Sequence, residues 1–221
     1  MKNTRIIEIL KTFSEKEFLK FEDFVSSKYF NKHEEVTNLF LILKKYFPQF
    51  ESDELAKEIV FEKIFGRKKY NDEKIRTLIS NLMKLVKKFL IQIELENKVP
   101  YANIFLLEQI RMRDQENLFD YEYGKAGNYL EENLYKEGEY YFVRYMSDFT
   151  NFYAHPSGFN NANVEGDLIY KIGASLERYI FLEAMDVNYQ MLTRKIKQNC
   201  RNRIKLWRDK KKKIIYFLFR I

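Results

Sequence analysis

The feature that most constrains the fold is a run of apolar side chains with the period of an α-helix, between residues 72 and 95. Asn71 or Asp72 is a suitable N-cap, because a short side-chain oxygen can accept a hydrogen bond from a free amide of the first turn. The spacing predicts a long amphipathic helix that buries one face. Its apolar residues are Ile75, Leu78, Ile79, Leu82, Leu85, Val86, Phe89, Leu90 and Ile93.

Residues that interrupt helices are scarce along the whole chain. Only 7 of the 221 residues are glycine and 3 are proline, whereas an all-β chain needs a turn every ~8–12 residues. The apolar fraction, 46%, is also too high for a disordered segment. We therefore expect an all-α globular protein.

Helix ends are visible elsewhere in the sequence. Ser14 and Glu17 have the spacing of a capping box, in which each side chain bonds the backbone amide of the other residue. Ser52 is a candidate N-cap for a helix over 53–65. Gly66 then suits the left-handed position that follows a helix.

A Val99-Pro100 step marks the best boundary between domains. We predict an N-terminal helical domain over 1–98. The region 99–205 is then expected to form irregular antiparallel helical hairpins, similar to a helical-repeat array. Its last two helices are predicted over 164–185 and 187–208.

An aromatic stripe lies in the predicted hairpin region. Tyr141, Tyr145, Phe149 and Phe152 follow one another at helical intervals. A base-stacking platform is one interpretation, but this spacing favours packing in the core, as a buried helix face requires. A polar loop over 155–163 is expected to follow.

Charge is distributed unevenly. Residues 1–99 hold 20 basic and 16 acidic side chains, residues 100–190 hold 7 and 15, and residues 191–221 hold 12 and 1. The basic and apolar tail, 206–221, has three interpretations: docking on the acidic middle region, contact with a membrane surface, or a non-native end. Its apolar run is too short to span a bilayer.

Motifs for catalysis or cofactor binding are not visible. The single cysteine, Cys200, excludes an internal disulfide and a multi-cysteine zinc site. Neither His33 nor His155 has the spacing of a metal-ligand pair, and no Gly-x-Ser-x-Gly or glycine-rich nucleotide loop is present. We expect a cytoplasmic protein without catalytic residues, metal ligands or cofactors, and with no membrane span.

A short basic turn, Gly66–Tyr70, joins the helices predicted over 53–65 and 72–95. This arrangement resembles a helix-turn-helix over 53–95, whose second helix would enter the major groove of DNA while lysines contact phosphates. Arginine and asparagine are residue types that read guanine and adenine edges. A solvated outer face is the alternative interpretation. The candidate nucleic-acid contacts are Lys68, Lys69, Lys74, Arg76, Asn81, Lys84 and Lys88.

Several segments of the first 95 residues resemble a family of uncharacterised helical proteins from Bacteroidota-type genomes. Beyond them the resemblance extends only to the helical pattern. The family's members are longer than this chain, which implies a truncated C-terminal end, and the resemblance implies no activity, cofactor or catalytic residue. The similar segments are Lys11–Phe18, Ser27–Lys32, Ile64–Gly66, Lys69–Asp72 and Leu78–Leu82.

The sequence leaves two functions open. The first is a non-enzymatic protein-protein interaction module with an unidentified partner, in which surplus aromatic side chains serve an interface. The alternative is a DNA-binding transcriptional regulator that uses the helix-turn-helix at 53–95. The sequence leaves the oligomeric state open.

Overall fold

The computed structural model describes residue 1, residues 4–155 and residues 162–218. Most of the predicted loop over 155–163 therefore lies outside the described residues. Side chains are described in these ranges except for residues 162–164, 200, 203–204 and 206–218.

Helices make up all the regular secondary structure of the described ranges, which confirms the all-α prediction. A 3₁₀ turn, Asp53–Leu55, lies between the third and fourth helices. The helices are α1 (Arg5–Leu10), α2 (Glu15–Ser26), α3 (Glu34–Lys44), α4 (Lys57–Phe65), α5 (Asp72–Asn97), α6 (Val99–Arg111), α7 (Glu116–Asn133), α8 (Gly138–Ala154) and α9 (Ala162–Leu218).

The chain divides into two compact units, Met1–Asn97 and Lys98–Ile221. In the first unit the apolar face of α5 packs against α1, α2, α3 and α4. The Phe89 ring lies 5.1 Å from Phe21, 5.5 Å from Phe24 and 5.7 Å from Phe13, measured between ring centroids. Aromatic pairs at such distances add to the free energy gained from burial alone.

The predicted capping box is present at the start of α2. Ser14 Oγ accepts a hydrogen bond from the Glu17 amide at 3.2 Å, and the Ser14 amide donates to the Glu17 carboxylate at 2.8 Å. The backbone hydrogen bond from Ser14 lowers the pKa of Glu17, because it favours the charged carboxylate. The box stabilises the orientation at which the chain enters α2.

The helix predicted over 53–65 begins later than expected. Ser52 caps the 3₁₀ turn by accepting a hydrogen bond from the Glu54 amide. Ala56 then has a ψ of 141°, which is outside the helical range. The first helix of the predicted helix-turn-helix is therefore α4, which begins at Lys57.

In the second unit, α8 and α9 form the most extensive helix–helix contact, and α6 packs on both α7 and α8. The predicted break between 164–185 and 187–208 is wrong, because α9 is one continuous helix. No glycine or proline occurs between these two segments to interrupt it. Its backbone stays helical through Leu218, although the tail side chains after residue 205 lie outside the description.

The aromatic stripe predicted for the core is not the most buried face of α8. Phe149 is 39% exposed, and Tyr141, Tyr145 and Phe152 are only partly buried. The helix is rotated so that a smaller and more polar face points inward. The buried residues of α8 are Tyr140, Val143, Ser147, Asp148, Thr150, Asn151 and Ala154.

In the described part of the chain, no helix combines the length and the apolar character that a membrane crossing needs.

Replacing a core residue of α5 should show how much of the first unit depends on this helix. We expect Leu82→Ala to lower the free energy of unfolding by roughly 2–5 kcal/mol, because it leaves a cavity at a fully buried position. Urea unfolding followed by circular dichroism measures the change. Ile91→Ala on the exposed face is the control and should stay within ~0.5 kcal/mol. Equal losses in the two variants would contradict the orientation of α5.

Candidate functional site

The turn between α4 and α5 is organised by one carboxylate. Asp72 Oδ1 accepts from Lys57 Nζ at 2.9 Å and from the Tyr70 hydroxyl at 2.9 Å. Asp72 Oδ2 lies 2.5 Å from Arg76 Nε. These contacts tie the last residues of the turn to both helices, and Gly66, with a φ of 70°, provides the reversal of the chain after α4.

The pKa values of Asp72 and Tyr70 are shifted in opposite directions at this turn. The hydrogen bond from Lys57 is the largest cause that lowers the pKa of Asp72, followed by the bond from Tyr70. Burial is the largest cause that raises the pKa of Tyr70 to about 12, and its hydrogen bond to Asp72 adds to the shift. At neutral pH the phenol is therefore a donor and the carboxylate an acceptor.

The structure places the seven candidate nucleic-acid contacts on different parts of the first unit. Lys68 and Lys69 lie in the turn and are exposed. On α5, Lys74, Asn81 and Lys88 share one face, because they are seven residues apart, and Lys84 lies beside them.

Two of the predicted base-reading side chains are already engaged. Arg76 lies about 160° round α5 from Lys74 and is paired with Asp72. The Asn81 amide oxygen accepts a hydrogen bond from Lys84 Nζ at 3.3 Å. The lysines of this surface suit contact with phosphates. The two side chains that could read bases, Arg76 and Asn81, are engaged by other residues of the protein.

A buried polar network in the second unit was not predicted from the sequence. The Asp148 carboxylate is fully buried in α8. It accepts a hydrogen bond from the Tyr123 hydroxyl of α7 at 2.5 Å and one from Arg144 Nε at 3.2 Å. The sequence shows that Arg144 and Asp148 are four residues apart, but it cannot show that their face of α8 is buried.

Burial and charge together keep the Tyr123 phenol protonated. Burial raises its pKa most, and the negative charge of Asp148 raises it further. Arg144 lies 3.2 Å from the carboxylate and balances its charge, as a buried charge requires. The network therefore holds α7 and α8 together through a charge-assisted hydrogen bond.

A groove between α8 and α9 lies beside this network. Its volume is about 240 Å³. We call it the α8–α9 groove and define it by the residues that line it. They are Glu131, Lys136, Tyr140, Tyr141, Arg144, Asp148, Tyr170, Lys171, Ala174, Ser175 and Arg178.

The two histidines lie apart from this groove. His33 lines a separate surface groove of about 500 Å³ next to the start of α3. His155 Nε2 lies 3.3 Å from Asp120 Oδ1. Among the residues that the structure describes, no group of three His, Cys, Asp or Glu side chains could hold a metal ion.

The second half of α9 extends beyond the start of α8, the helix that packs against its first half. Gly138, at the start of α8, lies so close to Glu183 that a Cβ at residue 138 would be 2.7 Å from its Oε1. After residue 183, the described side chains of α9 are exposed, with only Thr193 partly buried. Several of these side chains are large and apolar. The sequence shows their spacing, but it cannot show that they are exposed.

Comparisons with protein-family models, with curated proteins and with solved structures found no match for this chain. Three features of the chain itself bear on its function: the lysine surface of α5, the α8–α9 groove, and the exposed second half of α9.

Removing the buried charge of Asp148 tests the polar network. We expect Asp148→Asn to lower the free energy of unfolding by roughly 2–4 kcal/mol, because Arg144 then keeps a partly buried charge without its counter-charge. Chemical unfolding at pH 7 measures the loss. Asp167→Asn removes the same charge from an exposed position of α9 and should change the stability by less than ~0.5 kcal/mol. If Asp148→Asn also changed the free energy of unfolding by less than ~0.5 kcal/mol, the network would contribute nothing to folding.

Proposed function

We propose that the protein is a non-enzymatic interaction module that works by helix–helix pairing. The observation that carries the proposal is one side of α9, which we call the α9 apolar face. Its members are each between 55% and 70% exposed. They are Phe181, Met185, Tyr189, Leu192 and Ile196.

The spacing of these five residues is that of a pairing surface. Intervals of three and four residues place them on one side of the helix, within an arc of about 80°. Fully burying one side chain of this size is favourable by roughly 1.5–3 kcal/mol of free energy. A contiguous apolar surface of this kind on a water-facing helix is typical of a binding site for another protein.

The charges along α9 favour a particular partner. Residues 165–186 carry 5 acidic and 2 basic side chains, whereas residues 187–205 carry 6 basic and no acidic ones. A helix that covers the apolar face beside the basic half needs acidic side chains of its own. The first half of α9 in a second copy has this composition, so we propose a second copy as the partner.

The two copies of α9 would pair antiparallel. With Tyr189 at a two-fold axis, the acidic first half of each α9 lies alongside the basic second half of the other copy. A parallel pair would instead bring the two basic halves together, where like charges repel. A symmetric pair of this kind is self-complementary.

Self-association tests this proposal. The wild-type chain should be a dimer at micromolar concentration in light scattering coupled to size exclusion. Met185→Glu/Leu192→Glu should be monomeric, because two charges would be buried in an apolar interface. The control, Gln198→Glu/Asn202→Glu, adds the same two charges on another side of the helix, at exposed positions, and should remain a dimer.

Two results would contradict the proposal. One is a wild-type chain that stays monomeric at 100 µM. The other is a dimer that survives Met185→Glu/Leu192→Glu as well as it survives the control substitutions.

A second function, DNA binding by α4 and α5, is favoured by one observation. Lys68, Lys69, Lys84 and Lys88 are exposed, and the ion pairs found among the described residues include none of them. Lysines that are not neutralised by protein carboxylates can contact phosphates. This surface is independent of the α9 apolar face.

Salt dependence distinguishes phosphate contact from a solvated surface. If the regulator hypothesis holds, duplex DNA should bind with an affinity that falls steeply as salt rises, with a log–log slope of about −0.9 per phosphate contact. Fluorescence anisotropy measures it. Lys84→Glu/Lys88→Glu should abolish binding, whereas Lys16→Glu/Lys28→Glu, with the same charge change elsewhere in the unit, should retain it. Equal losses in both variants would rule out a specific role of α5.

A further inference from the structure

The α8–α9 groove combines cations and hydroxyl groups in a unit that is otherwise acidic. Residues 100–190 carry 15 acidic and only 7 basic side chains. Four of these basic side chains nevertheless line this one groove, against two acidic ones. They are Lys136, Arg144, Lys171 and Arg178.

The two carboxylates of the groove already have partners. Asp148 is bound by Arg144 and Tyr123. Glu131 accepts a hydrogen bond from the Tyr140 hydroxyl and lies 3.4 Å from Lys136 Nζ. Neither acid is therefore free to neutralise a further cation.

The cations on the α9 side of the groove have no carboxylate partner among the described ion pairs. Lys171 and Arg178 are seven residues apart and so lie on the same side of α9. The Arg178 guanidinium lies 5.5 Å from the centre of the Tyr141 ring, a cation–π contact that orients it without neutralising its charge. The groove therefore holds an excess of positive charge.

The shape of the groove suits a small ligand. Ala174 and Ser175 lie between Lys171 and Arg178 on α9, and these small side chains leave space that a larger residue would fill. A volume of about 240 Å³ is below the range of ~300–1,000 Å³ that is usual for drug-sized ligands. The hydroxyl groups of Tyr141, Tyr170 and Ser175 add neutral hydrogen-bond donors to the charged ones.

We propose that the α8–α9 groove binds a phosphate group, either free or carried by a small monoester. Arginine matches the geometry of phosphate oxygens through two parallel N–H donors, and lysine contributes a point charge. A dianion between Lys171 and Arg178 would remove the unbalanced charge of the groove. The proposal rests on the residues that line this groove, and its readout is anion binding rather than self-association.

Isothermal titration calorimetry on the full chain tests the site, with inorganic phosphate as the first probe and phenyl phosphate as the second. Both titrations are run at pH 7.5 and constant ionic strength. We expect saturable binding of one anion per chain. Lys171→Gln/Arg178→Gln should weaken binding about tenfold or more, because two charge-assisted contacts are lost. Circular dichroism checks that the variant is folded.

The matched control is Arg194→Gln/Lys197→Gln, which removes one arginine and one lysine charge from exposed positions of the same helix outside the groove. It should change the affinity by less than about twofold. Tighter binding of phenyl phosphate would assign a monoester, and tighter binding of inorganic phosphate would assign the free anion. The proposal fails if neither probe saturates by 10 mM, or if both double variants weaken binding equally.

Discussion

Both units depend on one constraint, which is that the apolar face of each helix must be buried against other helices. In the first unit, α5 is long, but α1 to α4 surround its apolar face and bring Phe21 and Phe24 against Phe89. In the second unit, α8 begins beside Glu183 and covers α9 only as far as that point. Large apolar side chains continue on α9 to Ile196 and are exposed, and in the proposed dimer a second copy of α9 covers them.

The covered half of α9 has a different character. Its contact with α8 is partly polar, since α8 turns Asp148 inward and satisfies it with Arg144 and Tyr123. A buried carboxylate with two partners specifies one rotation of α8, because rotating it outward would break both contacts. That rotation leaves Tyr141 partly exposed beside Arg178, and so the network that orients α8 also shapes the α8–α9 groove.

Local patterns predicted the local structure well. The apolar period located α5 because nothing interrupts it, and the Ser14–Glu17 capping box is a contact between residues three positions apart. The predicted buried face of α8 was wrong, because the stripe from Tyr141 to Phe152 is more apolar than the face that the structure buries. The cause lies in Tyr123, 25 residues from Asp148, and no local pattern reports such a partner. The apolar period places the lysines of α5 away from its buried face, but it cannot show that Arg76 is paired with Asp72, because that ion pair depends on how the turn folds.

The most direct test of the account is a distance between two copies of α9. A spin label at the exposed residue 205, introduced as Lys205→Cys with Cys200→Ser, lies 16 residues beyond Tyr189. An antiparallel pair centred on Tyr189 predicts about 48 Å between the labels along the helix axis. A parallel pair would place the helix axes only ~8–10 Å apart and give a short distance. Pulsed electron paramagnetic resonance that finds the long distance supports the account, and a short distance or no intermolecular coupling contradicts it.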